Sequence, residues 1–302
     1  MASRDFEALV TRAMAMPGRT HMRPVVEKEL LHYDILFALD RQGLLDRLTF
    51  QGGTSLRLCH GAPRFSEDLD FVAGTEFGDP ELQDIKACLE QYLGERYGLQ
   101  VWVKEPPSDD DTRPGVQVRR WQVSIRTAPE RPDLPHQRIK LEVVNVPAYT
   151  RVLMPLRHNY DFLPDGYDET LVGVETLDEV FVDKLIAYPV TAHPRYRDIW
   201  DLQWLAQREA KMDEAVLRAK IDDYGLEDYP GKLEQAIREL PERIQSQAFR
   251  DTLSRFLPED TLDRTLNREG FLGYLTSAVG GHLQSALAVL RTGSEPERPF
   301  NM

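Results

Sequence analysis

The sequence predicts an α+β fold, with strands and helices mixed up to about residue 175 and helices alone from 176 onward. Three observations predict it. Apolar residues near the start of the chain recur at helical spacing. Between residues 48 and 146 they repeatedly alternate with polar residues, as in half-buried strands. After Val174 the alternation stops and only helical spacing remains.

Pro24 opens an apolar stripe of Val25, Leu30, Leu31, Ile35, Leu36 and Leu39 that ends at Gly43, so residues 24–42 read as an amphipathic helix. Residues 48–51 read as a short strand, 55–59 as a helix start and 69–72 as the next strand. A helix is expected over 80–97 and a strand over 99–104. Pro106 opens a loop in which Asp109, Asp110 and Asp111 form a solvated hairpin tip. Alternation resumes at Val116 and Val118, then continues out of phase at Trp121, Val123 and Ile125. The slip at Arg119 and Arg120 suggests a β-bulge. Residues 138–146 alternate again, with Ile139, Leu141 and Val143 facing one way and Lys140, Glu142 and Val144 the other. Thr176 and Glu179 have capping-box spacing. Helices follow at 177–191, 195–209, 213–224, 230–246 and 260–291, between Pro, Gly and Asp signals. The division falls near residue 175, giving domains 1–175 and 176–302.

The 302 residues and 41 % hydrophobic content are enough for a buried core. No apolar run approaches the ~20 residues of a membrane span, and the start of the chain lacks the apolar segment of a secretory signal. A cytoplasmic protein without a membrane partner is the expectation. Cys59 and Cys88 show no zinc-type spacing, and neither do the seven histidines.

The formal charge of −13 argues against a general nucleic-acid coat, since non-specific binding rests on lysine and arginine. Residues 101–160 run against that balance, with ten basic against seven acidic side chains. There Arg119, Arg120, Trp121, Arg126, Arg131, His136, Arg138, Lys140, Arg151, Arg157 and His158 interleave cations and rings, as a surface for an RNA end does. On charge alone a solvated strand face is the simpler reading.

The chemistry concentrates in two neighbouring motifs. Gly52-Gly53-Thr54-Ser55-Leu56-Arg57 suits a tight turn at a helix start, where backbone N–H groups attract phosphate. In Arg64-Phe65-Ser66-Glu67-Asp68-Leu69-Asp70-Phe71 the alternation turns Asp68 and Asp70 to one side and Leu69 and Phe71 into the core. Ser66, two residues earlier, shares their side. Paired carboxylates of this kind hold Mg²⁺, which carries nucleotide phosphates.

A glycine turn with hydroxyls followed by Asp-x-Asp on the next strand is the layout of the nucleotidyltransferase fold shared with DNA polymerase beta. In the form written here it resembles the AbiEii toxin family, whose members include the MenT nucleotidyltransferase toxins. The resemblance implies a polymerase-beta-like mixed sheet followed by a helical C-terminal part that contributes to the active-site cleft. It implies Mg²⁺ held by Asp68 and Asp70 with help from Glu142, and NTP as substrate. Nucleotide-binding roles fall to Gly52, Gly53, Thr54, Ser55, Arg57, Ser66 and Lys184. Lys184 and Asp198 join Asp68 and Asp70 as catalytic residues, because the family carries a lysine on this helix and an Arg-Asp…Asp-Leu run on the next, here Arg197 to Leu202. An RNA acceptor, with the tRNA 3′ end leading, and a cognate antitoxin are the implied partners. The alternatives are a protein or small-molecule acceptor, or a non-catalytic nucleotide-binding module. On spacing alone the better explanation of Lys184 is a stem packed among Val180, Phe181 and Tyr188 with its ammonium in solvent.

Overall fold

Strands alternating with helices in the first part of the chain build one mixed sheet of seven strands. The computed structural model describes residues 5–74, 82–106, 115–131, 133, 135–164, 166–191 and 193–292. In chain order the strands are β1 (Thr49–Gln51), β2 (Leu69–Val72), β3 (Val101–Lys104), β4 (Val118–Ile125), β5 (Gln137–Val144), β6 (Val152–Pro155) and β7 (Leu171–Val174). Their spatial order is β3-β4-β5-β2-β1-β7-β6. The β2–β5 and β1–β7 pairs are parallel and the others antiparallel.

The helices before and within this sheet are α1 (Phe6–Met14), α2 (Arg23–Arg41), α3 (Gly52–Leu58) and α4 (Ile85–Tyr97). Asp5 caps α1 by accepting the Glu7 and Ala8 amides at 3.0 and 3.3 Å. Proline in the first turn starts α2, and Gly43 at φ +69° follows its end. Leu30, Leu31 and Ile35 of α2 and Ile85, Leu89 and Leu93 of α4 share one apolar cluster with Phe71, Trp121, Val123, Ile139 and Leu141 of the sheet. Each such side chain contributes roughly 1.5–3 kcal/mol by leaving water.

From α5 onward the elements are helical: α5 (Leu177–Val190), α6 (Tyr196–Gln207), α7 (Glu214–Asp223), α8 (Tyr229–Gln245), α9 (Gln247–Ser254), α10 (Glu259–Arg264) and α11 (Phe271–Thr292). Two compact units result. One comprises Met1–Thr176 with Ser254–Arg264, the other Leu177–Leu253 with Thr265–Met302. The segment that returns to the first unit is tied there by the Phe65 amide, which donates to the Phe256 carbonyl at 2.9 Å.

Two expectations change. The helix expected over 260–291 is two helices, separated by a turn containing Gly270 at φ +81°. The β4–β5 ladder runs unbroken from Val118↔Val144 to Ile125↔Gln137, so no bulge lies at Arg119 and Arg120. The phase slip arises because Val116 precedes the strand, while Val118 within it faces away from the core side of Trp121. Strands β6 and β7 and helices α1 and α9 were not read as elements. The Asp109–Asp111 tip and the first two residues of the expected 80–97 helix lie outside the described residues. Among the described residues no helix is long and apolar enough to cross a membrane.

One buried charge organises the α2–α4 contact. Asp34 accepts from the Tyr97 hydroxyl at 2.6 Å and from the Tyr167 hydroxyl, and pairs with Arg96 Nε at 2.7 Å. Replacing Asp34 by Ala strands the Arg96 guanidinium and is expected to cost about 3–5 kcal/mol. Tyr97→Phe, which removes one donor, is expected to cost about 1 kcal/mol. Urea unfolding distinguishes the two, and equal small losses would show that the charge is compensated elsewhere.

Candidate active site

Strand β1 delivers the chain into Gly52, whose φ of +78° is strained for any residue with a side chain. A Cβ there would also lie 2.8 Å from Asp70 Oδ2. At Gly53 a Cβ would meet Arg64 Nη2 at 2.5 Å and Ser66 Oγ at 2.9 Å. Gly52 is thus fixed by its backbone conformation, and at Gly53 a side chain could enter only if Arg64 and Ser66 gave way. The antiparallel register sets Gln51 opposite Asp70, which brings that carboxylate to the turn.

The hydroxyls of the turn serve the backbone. Thr54 Oγ1 donates to the Asp68 carbonyl, and Ser55 Oγ donates to the Gly52 carbonyl at 2.9 Å. Both side chains are buried: Thr54 fastens the turn to the segment entering β2, Ser55 closes the turn on itself, and neither hydroxyl points outward to a phosphate. Ser66 is likewise buried.

Arg57, expected at the triphosphate, is buried in an ion pair. Its guanidinium grips Glu29 of α2 through Nε at 2.6 Å and Nη2 at 3.1 Å, donates to the Ala62 carbonyl at 3.1 Å and lies over the Phe65 ring. These contacts make it a brace for the loop between α3 and β2. Helix α2 supplies two more braces: Lys28 Nζ bonds Glu67 Oε1 at 2.8 Å, and His32 Nε2 bonds the Glu67 carbonyl at 3.0 Å. Burial lowers His32 to about 4, so near neutral pH the ring is uncharged and its N–H can donate to that carbonyl. Sequence reasoning missed Arg64, Lys28, Glu29 and His32. The available signal was charged positions on the buried side of an apolar helix, and an arginine inside the second motif.

Asp68 Oδ1 accepts the Lys140 amide at 3.3 Å. Asp70 on β2 is the register partner of Glu142 on β5, so the two stand side by side on one sheet face. Glu142 also lies opposite Arg120 of β4, and its Oε1 accepts from Arg120 Nε at 2.6 Å. Lys140, on the same face, sits two positions along the same strand. Among the described residues no three His, Cys, Asp or Glu side chains form a group that could hold a metal ion, so the three-carboxylate site is not assembled with Glu142 in this ion pair.

The second unit carries its own charged assembly. Lys184 on α5 is buried, and its Nζ bonds Asp198 Oδ1 at 2.7 Å and Asp201 Oδ2 at 3.0 Å, both from α6. Arg195 adds a bond to Asp198 Oδ2. The ammonium therefore does not snorkel to solvent. Burial by itself would raise the Asp198 carboxyl, but Lys184 and then Arg195 outweigh it and hold the group well below the usual carboxylate range.

With this geometry in place, residues 34–268 match the family model described as nucleotidyl transferase AbiEii toxin, type IV toxin–antitoxin system. The chain belongs to the AbiEii family. Among solved structures it is similar to MenT4, a nucleotidyltransferase toxin from Mycobacterium tuberculosis, at 22 % identity and a TM-score of 0.53, over 94 % of this chain and 98 % of that one. It also matches JHP933 from Helicobacter pylori at 20 % identity and a TM-score of 0.45, over 89 % and 94 % of the two chains. No curated protein sequence matches it. The first likeness concerns the fold, a mixed sheet with helices as in the MenT nucleotidyltransferases. Membership of AbiEii, a toxin–antitoxin family, implies an antitoxin counterpart.

Two outcomes follow for this AbiEii chain. Gly53→Ala should destabilise it by about 1–3 kcal/mol through overpacking. Arg64→Ala in that background should cost less than the sum of the single changes, whereas strict additivity in urea unfolding would clear Arg64 as the obstacle. Lys184→Met removes the ammonium shared by the buried Asp198 and Asp201 carboxylates, with Arg195 still paired to Asp198, and should cost about 3–5 kcal/mol. Adding Asp198→Asn and Asp201→Asn should restore much of the loss. An unchanged melting temperature in Lys184→Met would contradict the buried ion-pair assignment.

Proposed function

We propose that this AbiEii chain transfers a nucleotidyl group from an NTP to an RNA hydroxyl, with the 3′ end of a tRNA as the leading acceptor. The observation that carries the reading is the close packing of Asp70 against the Gly52-Gly53 turn, with Asp68 tied to the same turn through its carbonyl.

The donor set fits Mg²⁺. Its protein groups are hard carboxylate oxygens, and Mg²⁺ commonly takes one or two carboxylates and completes its shell with water and substrate phosphates. Asp68 and Asp70 suffice for that, and Glu142 enters only if its bond to Arg120 opens. When bound, the ion would offset the triphosphate charge and polarise the phosphorus under attack.

The chain's own residues position the reactants. Gly52 and Gly53 let a phosphate approach the backbone closely, while Thr54 and Ser55 keep the turn rigid. The acceptor hydroxyl gives its proton to water as its oxygen attacks the α-phosphorus; the new P–O bond replaces the bond to pyrophosphate, and pyrophosphate leaves. In this reading Lys184 and Asp198 support activity by holding α5 to α6, since the Lys184 ammonium is committed to two carboxylates.

Incubation with each labelled NTP, Mg²⁺ and total RNA, followed by gel analysis, tests the proposal and identifies nucleotide and acceptor together. Label is expected on a small RNA species. Asp68→Asn and Asp70→Asn should reduce labelling to background with melting unchanged or raised, because asparagine keeps the shape and removes the charge that would hold the ion. Full labelling by Asp68→Asn would remove the carboxylate pair from the mechanism.

A further inference from the structure

The sheet face that carries Asp70 continues to the β3 edge, where Trp102 is 46 % exposed although indole is among the side chains that gain most from burial. Its ring lies parallel to that of His136, with centroids 5.1 Å apart and an interplanar angle of 9°. The register places three rows on this face: Trp102, Ser124 and Arg138; Lys104, Gln122 and Lys140; and Arg120, Glu142 and Asp70. Lys104, Arg138 and Lys140 are exposed and make no ion pair among the described residues. A cationic strip thus leads from the carboxylate to an open aromatic stack.

We infer that Trp102 and His136 form a stacking platform for an unpaired base of the RNA acceptor, with Lys104, Arg138 and Lys140 tracking its backbone toward Asp70. The inference rests on the transferase reading and adds to it where the acceptor strand lies. Strand spacing and rise put the platform about 14 Å across and about 13 Å along the sheet from Asp70, a reach of a few nucleotides. Paired rings with neighbouring cations suit single-stranded nucleic acid, whose bases stack on aromatic faces while phosphates meet lysine and arginine. A duplex offers base faces only at its ends. Of the basic residues grouped on sequence, this face holds Arg120, His136, Arg138 and Lys140, whereas Trp121 is buried in the core.

The test uses the full chain, a short unstructured fluorescein-labelled RNA and the duplex form of the same sequence. Trp102→Ala should weaken single-strand binding by about 5- to 100-fold, with Trp102→Phe retaining most of it and the duplex bound less tightly throughout. In the transfer assay Trp102→Ala should raise KM for RNA while leaving kcat and KM for NTP near the parent values. Unchanged RNA affinity in Trp102→Ala overturns the platform and leaves the exposed ring for a protein contact. Loss of affinity in Lys104→Gln with Lys140→Gln, but none in Trp102→Ala, reduces the surface to charge and also overturns it. If Trp102→Ala transfers nucleotide with the parent's KM for RNA, the platform fails while the transferase reading stands. If the parent binds the strand through Trp102 yet transfers nothing to RNA, the transferase reading fails and the platform stands.

Discussion

The absence of side chains at residues 52 and 53 is the constraint on which the first unit's site depends. Asp70 occupies the space a Cβ at 52 would fill, and Arg64 and Ser66 occupy the space beside 53. Because two glycines accept these intrusions, β1 and β2 can pair with Gln51 opposite Asp70 and still leave the turn closed over the carboxylate. The hydroxyls of Thr54 and Ser55 then spend their hydrogen bonds on the Asp68 and Gly52 carbonyls. Rigidity at the turn comes from these local bonds, and rigidity of the approaching loop comes from α2 through Lys28, Glu29 and His32.

Buried ion pairs recur in both units. Glu29 with Arg57 and Asp34 with Arg96 sit in the first; Lys184 with Asp198 and Asp201, and Lys220 with Glu179 and Asp183, sit in the second. Desolvation offsets much of the attraction in such pairs, so they contribute less to net stability than their number suggests, while the loss of either partner is severe. Their geometry fixes which helix turn faces which. The depressed Asp198 carboxyl shows the sign of the coupling to pH. Its contribution is fully present above the ordinary carboxylate range and is lost only as pH falls through the lowered folded value.

Much of the fold was legible because hydrophobic period is local. The α2 stripe, the β2 and β5 alternations and the change to helical spacing after Val174 each appear as elements near the expected bounds. Strands β6 and β7 were harder, since they are four residues long and half their side chains are exposed apolar groups without clear alternation. The two motifs showed that the Gly52 turn and the carboxylates of Asp68 and Asp70 belong together. Partners from distant strands and helices were not legible: Glu142 meets Arg120 through strand register, and Arg57 meets Glu29 across 28 residues. A charged side chain beside a phosphate motif reads as a ligand contact until the structure supplies its counter-charge.

The central claim is that Asp68 and Asp70 hold a divalent ion together with the triphosphate. Titrating Mn²⁺ in place of Mg²⁺, followed by its paramagnetic resonance signal with and without a non-hydrolysable NTP analogue, tests it directly. The account predicts weak Mn²⁺ binding to the protein alone, tight binding when protein and analogue are both present, and loss of the tight component in Asp70→Asn. Mn²⁺ binding that is the same with and without the analogue, or that survives Asp70→Asn, would contradict it.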